Sequence, residues 1–237
     1  MRKGLMILML LGSWLAFTPE GKDAAAGLRN SEEARIAVRL FERSGLNKMG
    51  LSMHAWATAF SGYLKLKAEG MLNNARYLSI VDFSKHGGAK RFYVVDLQDT
   101  CVVFNTYVSH GRNSGERYAS RFSNTENSLM SSLGFFITGS TYFGQHGLSL
   151  RLLGQERGFN NLAEQRGIVV HGADYVSEKV VQHQGYVGRS WGCPALPEEL
   201  TEPVINTIRD GSAFFIYHPN ERYQQSSKFL KNQPRYN

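Results

Sequence analysis

Long apolar runs, cysteine and proline are all scarce in this chain of 237 residues. Beyond residue 17 no stretch reaches the roughly 18 consecutive apolar residues that mark a membrane-spanning helix. Only two cysteines are present, Cys101 and Cys193, which excludes a disulfide-dense scaffold and a four-cysteine zinc or iron–sulfur centre. One bridge between them stays possible, although Cys101 opens a segment that reads as a buried strand. Neither cysteine belongs to a C-x-x-C pair, and none of the seven histidines belongs to H-x-x-x-H. A set of His171, His183 and Cys193 is the sparse metal alternative; His183, between two glutamines, reads as an exposed loop residue. Acidic residues are also short, 20 against 27 Lys and Arg, and the net charge of +7 favours anionic partners. Basic residues do not interleave with aromatics in the RNA-binding manner. What remains is 42% apolar and 12% aromatic residues with 24 glycines, enough to bury a core and to exclude a disordered chain.

Arg2 and Lys3 precede an apolar run from Leu5 to Phe17, shorter than the roughly 20 residues a bilayer span needs. Pro19 and Gly21 break it, and Ala24-Ala25-Ala26 offers a small-residue cleavage site. The layout predicts a signal peptide over 1–26 and export to the periplasm or cell envelope, the mature chain not inserted in the membrane. Residues 27–72 read as a helical segment packed on the following domain, 73–219 as that domain, and 220–237 as a polar, basic tail that frays.

Ser31 as N-cap, Glu32 and Glu33 in the first turn and Gly45 at the end predict a helix over 31–43. Trp56, Phe60, Tyr63 and Leu64 recur at helical spacing in a second helix over about 51–68, where core packing explains the aromatics. From residue 76 the pattern turns to short β-rich runs at Tyr77–Phe83, Arg91–Leu97 and Cys101–Ser109, then Leu133–Thr138, Leu148–Leu153 and Gly167–His171. A helix follows at about 197–209, in which Pro203 implies a late start or a kink, and Ala213–Tyr217 closes the series. The fold class is therefore mostly β, with N-terminal helices and one helix after the cysteine loop, α+β overall.

The segment Arg189-Ser190-Trp191-Gly192-Cys193-Pro194-Ala195 concentrates the chemistry. Cys193 sits on a tight loop shortly before a helix, whose N-terminal dipole would lower a thiol pKa. Backbone N–H groups of Gly192 and Cys193 are candidate oxyanion donors, because glycine lets a carbonyl approach closely. Ile168-Val169-Val170-His171-Gly172 is a strand ending in a histidine, a candidate general base and acid if a hairpin-like return brings it to Cys193. Arg189 is the arginine best placed to meet a substrate carboxylate. The stretch His110-Gly111-Arg112-Asn113-Ser114-Gly115 lacks a P-loop lysine and reads as a plain turn.

His171-Gly172 followed by Ser190-Trp191-Gly192-Cys193 resembles the His-Gly … Ser-His-Gly-Cys motif of bacterial murein L,D-transpeptidase catalytic domains. Ser131-Ser132-Leu133-Gly134-Phe135-Phe136 stands where that family has Thr-Pro-x-Gly-x-Phe, and Val108-Ser109-His110-Gly111 ends the preceding strand. The resemblance covers about 76–218, and a divergent branch with Ser-x-Gly-Cys-Pro-Ala extends it to about 31. It implies a β-sandwich or barrel, no cofactor and no metal. The implied partner is peptidoglycan rather than nucleic acid, and the reaction passes through a Cys193 thioester on stem peptides. It implies Cys193 as nucleophile, His171 as base and acid, Gly192 at the oxyanion and Ser190 ordering the loop, with Arg189, Trp191 and Gly172 touching substrate. Trp191 replaces the family's histidine, and Pro194-Ala195 replace a hydrophobic residue and Arg or Asn. These departures keep two alternatives in view: a carboxypeptidase or hydrolase on the same stems, and an inactive wall-binding protein of this fold.

Overall fold

The computed structural model describes residues 32–230. The leader-like segment 1–26, the Ser31 cap and residues 231–237 lie outside the described residues. Helix α1 covers 32–43 and α2 covers Met53–Ala68. The Ser52 hydroxyl accepts the Ala55 N–H at 3.1 Å and so caps α2. Trp56, Phe60 and Tyr63 stack in series along α2, and the Trp56 indole N–H bonds Ala37 O at 2.8 Å, tying α1 to α2. Gly62 lets the helix lie close on the sheet: a Cβ there would stand 2.0 Å from the Phe135 ring.

The sheet has eight strands: β1 Tyr77–Asp82, β2 Phe92–Asp96, β3 Cys101–Thr106, β4 Gly134–Gly144, β5 Gly147–Gly154, β6 Val169–Gly172, β7 Ala195–Leu196 and β8 Ala213–Tyr217. Their spatial order is β3-β2-β1-β8-β4-β5-β6-β7. β1 with β8 and β6 with β7 run parallel; the other pairs are antiparallel. β1, β2 and β8 are buried along almost their whole length, as expected for strands covered on both faces. The two sheet edges meet. Past β3 the chain continues to Ser109, whose N–H bonds Ala195 O of β7 at 2.9 Å, and Gly111 bridges Ser190. The sheet is thereby nearly closed into a barrel, and the cysteine loop is strung across the closure.

Several expectations change. The return from His171 to Cys193 is a parallel pairing, not a hairpin. Parallel strands need a crossover, and helix α3, Glu178–Gln184, supplies it. His183 stands in the last turn of α3 rather than in a loop. Helix α4, Glu198–Ile208, carries Pro203 internally. The carbonyl that Pro203 leaves unpaired, that of Glu199, belongs to an exposed first-turn residue and can reach water. The expected fraying tail instead forms helix α5, Glu221–Ser226, and buries Tyr223, Phe229 and Leu230. Cys101 lies exposed on edge strand β3, and both cysteines are free thiols.

Candidate active site

Register sets the two candidate residues on neighbouring segments. His171 on β6 is the partner of Ala195 on β7, two residues beyond Cys193. The loop from Arg189 to Pro194 is shaped by its own side chains. The Ser190 hydroxyl accepts the Gly192 N–H at 3.1 Å and donates to Cys193 O at 2.6 Å. Ser131 holds the loop from across the barrel: its hydroxyl donates to Gly192 O at 3.1 Å and accepts the Gly111 N–H at 3.0 Å. Gly192 has φ of 131°, and a Cβ there would meet Met130 O at 2.8 Å, so glycine is required twice over. The Gly192 N–H is not a free oxyanion donor, because Ser190 already takes it. The Cys193 N–H donates to none of the described residues.

The thiol is half-buried, and its sulfur lies 3.5 Å from Gly167 O. Burial pushes the Cys193 thiol up; a backbone hydrogen bond from Val169 and the nearby Arg166 oppose this. The expected lowering by the following helix is therefore overturned. α4 starts only at Glu198, behind an N-cap, Pro197, that makes no side-chain cap bond. Desolvation outweighs a dipole at that remove.

Arg166 was not singled out by the sequence. It lies in the β5–β6 connection and donates to Ser123 O and Met130 O, both at 2.7 Å, to Ser128 Oγ at 3.2 Å and to Ser132 Oγ. A buried anchor positions this connection. The Glu156 carboxylate accepts from Phe135 N at 2.7 Å, from Tyr223 OH at 2.8 Å and from Ser227 Oγ. Asn160 donates to Leu133 O and Phe135 O. Tyr175, also missed, feels the Cys193 charge; burial first and that charge second push its phenol up to about 12. Neither side chain carries a local spacing signal; both meet Cys193 only through the fold.

The His171 ring is buried, with Nδ1 2.8 Å from Gly172 O. A carbonyl can only accept, so Nδ1 carries the proton and Nε2 is the basic nitrogen. His146, from the tip of the β4–β5 hairpin, stacks on His171 at 4.4 Å between ring centroids. Burial, then the proximity of His146, holds the His171 pKa below its usual value, against the Gly172 bond. Gly172 is itself buried and lines a cavity of about 660 Å³ with His146, Tyr175 and the exposed Phe143. Arg189 and Trp191 of the loop are exposed. Among the described residues no three His, Cys, Asp or Glu side chains gather as a metal site.

A half-buried thiol on the loop before β7 and a buried, tautomer-fixed imidazole on the adjoining strand β6 thus lie on one edge of a nearly closed β barrel. The sequence pattern of the L,D-transpeptidase catalytic domain matches residues 47–217, and the chain belongs to that family. Solved structures to which it is similar include an L,D-transpeptidase from Mycobacterium smegmatis, at 16% identity, covering 60% of this chain and 59% of that one with a TM-score of 0.39. L,D-transpeptidase 3 from Mycobacterium tuberculosis is 14% identical over 60% of this chain and 61% of that one, with a TM-score of 0.38. For an L,D-transpeptidase from Xylanimonas cellulosilytica the values are 15%, 75%, 92% and 0.35. The chain thus spans about three fifths of the first two. No curated protein matches it.

Proposed function

We infer that the protein is a cysteine-dependent L,D-transpeptidase that acts on peptidoglycan stem peptides outside the cytoplasm. The observation that carries this reading is the fixed tautomer of His171. Its Nδ1–H is held by Gly172 O and its Nε2 bonds to none of the described residues, beside the strand that leads from Cys193. The leader-like N-terminus supports export, and among the described residues no helix is long and apolar enough to cross a membrane.

Cys193 is the nucleophile and His171 the base. Burial raises the thiol and lowers the imidazole, so the resting pair is neutral, thiol with imidazole, rather than an ion pair. The proton passes from sulfur to Nε2 as sulfur attacks the carbonyl of an L,D-peptide bond in the donor stem. Arg166 supplies positive charge to the sulfur as it ionises. The Cys193 N–H donates to the tetrahedral oxyanion, and the Gly192 N–H joins only if Ser190 releases it. His171 then returns the proton to the leaving amine, and a D-residue departs. An amine of a second stem resolves the thioester to a cross-link; water in its place gives a carboxypeptidase. Ser190 orders the loop.

Intact-mass analysis of the protein with a disaccharide-tetrapeptide tests nucleophile and donor together. A stem adduct is expected on the wild type and absent from Cys193→Ala; an adduct that persists in the variant moves the nucleophile elsewhere.

A second reading has one observation in its favour. The thiol rests against Gly167 O with its pKa raised, the state of an inert cysteine in a wall-binding protein of this fold. Such a protein gives no adduct with any stem.

A further inference from the structure

A second cavity, of about 270 Å³, is lined by Arg112, Gln184, Tyr186, Gly188, Arg189 and Trp191, the last two from the cysteine loop. The barrel closure builds it. Gly111 bridges Ser190, and the Arg112 N–H bonds Ser190 O at 2.8 Å, so Arg112 and Trp191 follow the bridge side by side and Arg189 precedes it. The guanidinium of Arg112 bonds to none of the described residues, and that of Arg189 makes one long bond, 3.3 Å to Gly115 O. Glu116, the carboxylate at the rim, is engaged by the Tyr186 hydroxyl at 2.9 Å, and Arg117 lies over the same ring. Trp191 is 73% exposed although it stands two residues from the thiol. Gly188 in the lining packs directly on Tyr175: a Cβ there would come within 2.6 Å of that side chain.

Two guanidiniums with donors to spare make a fork that suits a carboxylate, and a bared indole beside them offers a flat apolar face. We propose that the cavity lined by Arg112, Arg189 and Trp191 binds a carboxylate of the donor stem peptide, with Trp191 laid against the adjoining apolar face of the muropeptide. This rests on the transpeptidase reading and adds to it a rule of choice: stems with free carboxylates are selected over stems whose carboxylates are amidated.

Binding is measured by titration calorimetry on the full chain carrying Cys193→Ala, so that no thioester forms. The probes are disaccharide-tetrapeptide with free carboxylates and the same muropeptide amidated. The free form is expected to bind about tenfold or more tightly, with an affinity that falls as salt rises. Adding Arg112→Gln and Arg189→Gln, both at exposed positions, brings the ratio of the two affinities to about one. Trp191→Ala weakens both forms alike, because stacking does not read the charge. Equal binding of the two forms, binding of neither, or a preference that survives the double arginine change overturns the proposal. The thioester assay on the wild type is a separate readout. An adduct without carboxylate preference leaves the transpeptidase reading standing and removes the subsite; preference without any adduct does the reverse.

Discussion

Of the four His-Gly pairs in the chain, the fold uses two, His110-Gly111 and His171-Gly172, in opposite ways. At His110-Gly111 both ring nitrogens are occupied. Nδ1 accepts from the Arg91 guanidinium at 2.7 Å, and Nε2–H donates to Gly115 O at 3.3 Å. Burial first and the Arg91 charge second push its pKa down to about 3. Arg91 is fully buried and completes its own set with Val108 O and Lys85 O. At His171-Gly172 one nitrogen is held by the neighbouring carbonyl and the other faces no partner among the described residues. The dipeptide is the same; in one ring the second nitrogen is spent on the fold, and in the other it stays open to serve as the base proposed above.

Five experiments press on that contrast. The largest effect is expected for Cys193→Ala, which removes the thioester altogether in intact-mass analysis while the urea midpoint stays near that of the wild type. Next, His171→Ala slows acylation by about 10²–10⁴-fold in single-turnover kinetics. His110→Ala behaves conversely: it lowers unfolding free energy by about 1–3 kcal/mol in urea titration, as Arg91 loses a buried acceptor, and leaves acylation per folded molecule within a few-fold. Loss of acylation with His110 and not with His171 would invert the comparison.

The fourth test is pH. A histidine held neutral in the fold binds fewer protons there than when unfolded. Its contribution to stability is therefore present above the ordinary imidazole value of 6.5 and is lost as pH falls toward about 3. Urea titrations across that window should show stability falling with acidification, and His110→Gln should flatten the slope. For catalysis, the lowered pKa of His171 sets the acid limb of the acylation profile below 6.5. A limb above that value would mean that burial does not hold the imidazole down in the working protein. Smallest is Arg166→Gln. It leaves the thiol still less ionised, so alkylation of Cys193 by iodoacetamide at pH 8 should slow by a few-fold, with Cys101 on the exposed edge as internal control.

The parts legible in the sequence were those whose burial shows as a local apolar run or period. β8 was read at Ala213–Tyr217, where the structure has it, because five consecutive buried residues sit between Gly211 and Pro219. The aromatic ladder of α2 was equally plain. Helix α3 was missed because it buries no residue and so has no apolar stripe to read. Helix α5 was missed because Tyr223 is held by Glu156, a partner 67 positions away. In the site, the Cys193 loop and His171 announced themselves by glycine, proline and strand-end placement. The capture of the Gly192 N–H by Ser190 is a local contact, and the spacing of serine two residues before glycine was there to suggest it. Arg166 and Tyr175 were not accessible in that way, and the direction of the thiol shift depended on burial that no nearby residue encodes.

The bond from Ser109 to Ala195 has a consequence for how the chain matures. Strand β7 is only two residues long, so the loop before it keeps its shape by leaning on a segment 86 residues upstream. Such a distant closure comes late, after the intervening hairpins have zipped. Until then nothing in its own short strand holds the cysteine loop. The last seam to close is the one that gives that loop its shape.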